Sequence, residues 1–284
     1  MTLSPPGAGR PQPGRPQPGR PQPGPIQPGP AGARIFRTSG SGSVGVGLAI
    51  AGFAVGAILA AIVVAIVVGL THDKVVKGQP VQTPAVTAGD LIGLWVGLVG
   101  AAVLASRFLG SRRTGTDLGL RWRPLIDLPV GAAVGVAVQL LLIPLLYLPL
   151  QASHPHLTQT LSREGVTLTG HTQTAGFVIV AILVVVGAPV VEELFFRGLV
   201  LRSLEAWFGA LGRRVGVVAA ILVMGVAFGF AHSQGWIVAY GLAVFGMVLG
   251  ILAKAFRRLG PGIVAHGAFN LLSVLTLAFP HLVL

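Results

Sequence analysis

Residues 174–201 read TAGFVIVAILVVVGAPVVEELFFRGLVL, an apolar run interrupted only by Glu192, Glu193 and Arg197. About 20 apolar residues suffice to span the hydrocarbon core of a bilayer as a helix. A carboxylate at that depth costs several kcal/mol unless it is paired or faces a cavity, so intramembrane acids mark function by default. The whole chain of 284 residues holds only 8 acidic side chains, and two of them stand side by side here. Glu193 and Arg197 are four residues apart on one helix face, a candidate buried pair that supports the site. Glu192 lies about 100° further round the helix and cannot share that pairing well. It is therefore the free carboxylate and the candidate general base. Pro189, one turn earlier, is expected to kink the helix and free a carbonyl near Val185.

The rest of the composition agrees with a membrane setting. Hydrophobic residues make up 53% of the chain and charged residues 10%. The net charge is +12, and the arginines cluster in loops and in the N-terminal tail. Topogenic charge explains that pattern better than nucleic-acid binding, for which few polar residues are left. Cysteine is absent, which removes disulfides, thiolate metal sites and a cysteine nucleophile together. The first apolar run begins near Val44 and is long enough to span, so it reads as a helix and not as a cleavable signal. Residues 1–43 read as a disordered, basic, Pro/Gly-rich cytoplasmic tail. Its unit Arg-Pro-Gln-Pro-Gly recurs at 10–14, 15–19 and 20–24, with a degenerate copy at 25–29. Such a tail suits a spacer near anionic lipid.

Seven apolar segments are countable, at 44–70, 89–109, 126–150, 174–201, 215–232, 236–253 and 261–280. The fold class expected is all-α, a multi-pass protein of the cell membrane. Residues 44–173 form the N-terminal transmembrane part, and residues 174–284 hold a catalytic cavity among the last four helices. Basic loops (Arg107 to Arg123; Arg202, Arg213 and Arg214; Lys254, Arg257 and Arg258) alternate with nearly neutral ones. That alternation puts the N-terminus in the cytoplasm. Gly52 and Gly56 fit a small-xxx-small pattern, read here as internal packing.

Two further spans carry polar groups. The fifth ends Phe228-Gly-Phe-Ala-His232, and the seventh holds His266 and Asn270 on one face at i, i+4. Glu, His, His and Asn spread over three helices suit amide hydrolysis by activated water. Glu192 would deprotonate the water, the imidazoles would position it or bind a metal, and His266 with Asn270 would stabilise an oxyanion. His232, His266 and a carboxylate would also suit zinc with one open position. Neither HExxH nor GxSxG occurs. His154, His156 and His171 are spread over eighteen residues of their loop and read as incidental.

The ordered set Glu192-Glu193-x-x-x-Arg197, Phe228-x-x-x-His232 and His266-x-x-x-Asn270 resembles the three motifs of the CAAX-protease and bacteriocin-processing (CPBP) family of intramembrane proteases. The resemblance covers roughly residues 174–280, and Leu118-Gly-Leu-Arg121 resembles an upstream element of bacterial members. It implies a helical core with a cavity open to the cytoplasmic side and a glutamate-activated water. By that resemblance Glu192 is the base, His232 orients the water or binds metal, and His266 and Asn270 serve the oxyanion or the metal. Arg197 and Glu193 would hold the geometry. The implied substrate is a membrane-bound or lipidated protein. Bacterial relatives include immunity and scaffold proteins, so a non-catalytic membrane scaffold is the alternative. A proton-coupled transporter is a third, disfavoured by the lack of paired inverted repeats.

One expectation conflicts with a simple bundle. His266 lies about five residues into its span, some 7–8 Å deep, whereas His232 lies about seventeen into its own, roughly 25 Å. Strong tilt, or a fifth–sixth hairpin turning at Ser233-Gln234-Gly235 without crossing fully, would reconcile them.

Overall fold

A computed structural model describes residues 39–76, 78–154, 157, 175–232 and 235–278. Most of the tail with its Arg-Pro-Gln-Pro-Gly repeat, His156, His171, Ser233 and Gln234 lie outside the described residues. The helices are α1 (Ser39–Thr71), α2 (Pro84–Leu109), α3 (Thr114–Leu118) and α4 (Pro124–Gln151), then α5 (Ala175–Leu211), α6 (Arg213–Phe230), α7 (Trp236–Phe256) and α8 (Gly260–Ala278). Six of them, α1, α2 and α4 to α7, are long and apolar enough to cross a membrane. The seventh expected segment is helical as α8. The chain is an all-α polytopic membrane protein. The one departure among the described residues is a two-stranded antiparallel ribbon, Val75–Val76 with Gln79–Pro80, in the loop between α1 and α2.

Two of the boundaries that differ from the sequence reading change how the helices meet. The first helix begins at Ser39, inside the segment read as tail. Gly42 continues it because a glycine there lets the helix close on the backbone of Ser203 and Trp207. The fourth expected span runs ten residues past Leu201, to Leu211. Its charged continuation stays helical because its side chains find partners. Arg202 Nη1 donates to the Asp117 carbonyl at 2.7 Å, and Lys254 Nζ donates to Glu205 Oε2 at 2.8 Å.

That longer helix removes the conflict over depth. Gly212, at φ +85°, turns α5 into α6. Glu192 lies 20 residues before Gly212 and His232 lies 20 after it. Equal arms of an antiparallel hairpin bring the two side chains to one level.

The core is centred on Leu98, Leu199, Met224, Phe228, Phe245 and Leu249. Glycines set the helix spacing. Gly52 and Gly56 of α1 face Gly97 of α2, and a Cβ on Gly97 would run into the Gly52 carbonyl and the Gly56 backbone. The small-xxx-small pattern thus packs α1 on α2. Gly97→Val is expected to destabilise the protein by about 3 kcal/mol, because backbone cannot yield as a side chain does. Thermal unfolding in detergent checks this, with Gly100→Val as the control, since a Cβ on Gly100 meets nothing within 4 Å.

The turns at one end of the bundle are tied together. Asp117 accepts from Ser106 Oγ at 2.8 Å and from the Ser111 amide at 2.9 Å. Gly119 of the Leu118-Gly-Leu-Arg121 element takes φ +82°, and its carbonyl accepts from the Leu259 amide at 2.9 Å. Asp127 Oδ1 pairs with Arg258 at 2.6 and 2.8 Å. The loop between α2 and α4 is thereby fixed to α5 and to the start of α8, the two helices that carry Glu192, Glu193 and His266.

Candidate active site

Helix α5 changes register at the acidic pair. Glu192 closes a short α-helical piece, Ala188–Glu192, and Glu193 opens a π-helical one, Glu193–Val200. π-turns inside helices recur at functional sites. Glu193 and Arg197 are both buried, at 0% and 1% exposure. Arg197 Nη1 donates to Glu193 Oε1 at 2.8 Å, and Nη2 donates to the Gly246 carbonyl of α7 at 2.9 Å. The guanidinium also lies 4.5 Å from the centre of the Phe228 ring. Arg197 therefore joins α5, α6 and α7 at one point.

Both histidines reach the free carboxylate. His232 Nε2 and His266 Nε2 each lie 3.8 Å from Glu192 Oε2. The opposite nitrogen of each ring is committed. His232 Nδ1 lies 2.8 Å from the Phe228 carbonyl, and His266 Nδ1 lies 3.3 Å from Glu193 Oε1. A carbonyl or carboxylate oxygen accepts, so each Nδ1 carries the proton, and a neutral ring leaves Nε2 as a bare lone pair. Glu192 Oε2 is buried with no hydrogen-bond partner. Two imidazole lone pairs and one carboxylate oxygen thus face a common space without a donor among them. Buried polar groups are nearly always satisfied, and a water molecule would supply the donors this space lacks. The side chains of Glu192 and His232 keep 14% and 27% exposure, against 4% for His266, so the open side of the cluster is theirs.

Aromatic rings hold the imidazoles in place. Phe228 meets the His232 ring edge-to-face at 4.8 Å and the His266 ring at 5.7 Å. Phe245 of α7 meets His266 at 5.4 Å and stacks on Phe269 at 4.1 Å. Neither Phe245 nor the Gly246 carbonyl stood out in the sequence. An apolar residue in an apolar helix gives no sign of what it touches, and Gly246 showed only as a small residue.

Asn270 is placed differently from the other three. Its Nδ2 donates to the Val184 carbonyl at 2.8 Å. The helix kink expected at Pro189 appears as a second π-turn, Leu183–Gly187. The carbonyl that Asn270 meets is that of Val184, beside Val185 as expected, because in the π register the donor missing at Pro189 would serve residue 184.

The described residues hold no group of three His, Cys, Asp or Glu side chains that could bind a metal ion. The separations of 3.8 Å from Glu192 Oε2 to the imidazoles exceed the ~3.3 Å between neighbouring ligands of tetrahedral zinc with bonds near 2.0–2.1 Å. The zinc arrangement expected from His232, His266 and a carboxylate would need these groups about 0.5 Å closer together.

Comparison with known proteins bears on the segment that builds this cluster. No curated protein and no solved structure matches the chain. Residues 174–272 match the family described as Type II CAAX prenyl endopeptidase Rce1-like. All of Glu192, Glu193, Arg197, Phe228, His232, His266 and Asn270 fall inside the matched segment. Residues 174–272 are thus similar to the Rce1-like family, and the segment matched is the one whose motifs resemble the CPBP proteases.

Proposed function

We propose that the protein is an intramembrane endopeptidase that hydrolyses a peptide bond of a membrane-bound or lipidated protein with a water activated by Glu192. The observation that carries this reading is the unpartnered Glu192 Oε2, facing two bare imidazole nitrogens at 3.8 Å. A water in that space donates one proton to Glu192 and the other to an imidazole. Glu192 takes the first as the oxygen attacks the substrate carbonyl. His266 is backed by Glu193, which stabilises an imidazolium as a carboxylate does in a catalytic triad. The imidazole takes the second proton from the attacking oxygen, presents that N–H to the oxyanion, and yields it to the leaving amine when the intermediate collapses. His232, on the open side, stands nearest the solvent path. The proton held by Glu192 passes to the leaving nitrogen, the carbon–nitrogen bond breaks, and an acid and an amine are released.

The orientation follows from charge. Arg202, Lys254, Arg258 and the arginine-rich loop between α2 and α4 meet at one end of the bundle through the Asp117, Glu205 and Asp127 contacts. That end is assigned to the cytoplasm by the excess of basic residues, and the N-terminus with it.

Direct attack by water leaves no acyl-enzyme. Purified protein in nanodiscs, given a lipidated peptide and hydroxylamine, is expected to release only the free acid. A hydroxamate product would show a covalent intermediate and contradict the mechanism.

A further inference from the structure

We infer that Asn270 is a positioning residue that stands in for the backbone donor lost at Pro189. The inference rests on Glu192 acting as the base proposed above. Within the π-turn Leu183–Gly187 the hydrogen bonds run from residue i to i−5, as shown by the Ala188 amide on the Leu183 carbonyl. The next bond in that register would join the amide of residue 189 to the Val184 carbonyl. Residue 189 is proline, which has no N–H. The Val184 carbonyl is left without its helical donor inside an apolar bundle, where an unmade bond is expensive. Asn270 Nδ2 fills that place at 2.8 Å.

The approach of α8 allows this. A Cβ on Gly267 would lie 3.0 Å from the Val185 carbonyl and 4.0 Å from Pro189 Cγ, so α8 lies directly against the turn. Glu192 follows Pro189 by three residues. The position of its carboxylate along α5 therefore depends on the register of the turn that Asn270 holds. His266 and Asn270 are one turn apart on α8, so the same helix that presents the imidazole also fixes the carboxylate opposite it. This assigns Asn270, through the N–H that meets the Val184 carbonyl, to alignment of Glu192 with His232 and His266.

The test is a second-site rescue. Asn270→Ala is expected to lower kcat about tenfold with KM unchanged, and to lower Tm by about 5 °C. Asn270→Leu, which has no polar hydrogen to donate, behaves alike. Pro189→Ala restores a backbone donor at the missing place in the register. In the Pro189→Ala, Asn270→Ala double variant both kcat and Tm return most of the way to the parent values. If Tm returns but kcat stays as low as in Asn270→Ala, Asn270 acts on the substrate and the inference fails. If neither returns, the Val184 contact is not what Asn270 contributes, and the inference fails again. Thermal unfolding needs no substrate. A Tm that follows the rescue in a protein with no measurable cleavage would support the clamp while overturning the proposed function.

Discussion

Arg197→Leu is expected to leave little folded protein. The guanidinium is enclosed, and it carries the bond to Glu193 Oε1 and the bond to the Gly246 carbonyl of α7. Its loss strands the Glu193 carboxylate in the core with only the His266 contact at 3.3 Å. Breaking one partner of a buried pair costs about 3–5 kcal/mol. That is comparable with the whole stability of many domains, about 5–15 kcal/mol. Replacing both partners with neutral side chains removes the stranded charge. The Glu193→Gln, Arg197→Met double variant is therefore expected to regain much of the lost stability, read by thermal unfolding and monodisperse elution in detergent. It is not expected to regain activity, because His266 Nδ1 then lacks the carboxylate that fixes its tautomer. A double variant no more stable than Arg197→Leu would show that the ion pair is not what the fold depends on there.

Glu192→Gln is expected to separate activity from stability in the opposite sense. The carboxylate oxygen it replaces has no hydrogen-bond partner and is desolvated. A glutamine amide brings two N–H donors to a place where two imidazole nitrogens offer lone pairs. Tm is therefore expected to hold or rise. The amide cannot take a proton from water, and loss of a general base lowers the chemical step by about 10²–10⁴-fold. Single-turnover cleavage of a membrane-anchored peptide by purified variants measures this directly. A Glu192→Gln protein that is inactive because it unfolds would not count as support, which is why the two readouts belong together.

Much of this site was legible in the sequence. The i, i+4 spacing of Glu193 and Arg197 implied their pairing, and the 100° offset of Glu192 implied a different environment. Gly52 and Gly56 were readable as packing positions. What could not be read depends on partners distant along the chain. The end of α5 was placed ten residues early because Arg202 and Glu205 look like a terminus until Asp117 and Lys254 are brought beside them. The height of His232 followed from that same error, since the hairpin arms are measured from Gly212. The π register at Leu183–Gly187 singles out the Val184 carbonyl near Val185, a detail that a proline in an apolar run does not announce. Asn270 showed as a polar group one turn from His266, and its spacing alone suited an oxyanion donor. Only the packing of α8 on α5 shows which acceptor it meets. Phe245 was invisible for the simplest reason: it is one apolar residue among many.

The most direct test of the central claim compares protein termini in membranes of cells expressing the wild-type protein or Glu192→Gln at matched levels. New termini that appear with the wild type and vanish with the variant are the predicted result, and they would name the substrates. Identical termini with both proteins folded in the membrane would contradict a protease and leave the cluster of Glu192, His232 and His266 as a means of holding helices together.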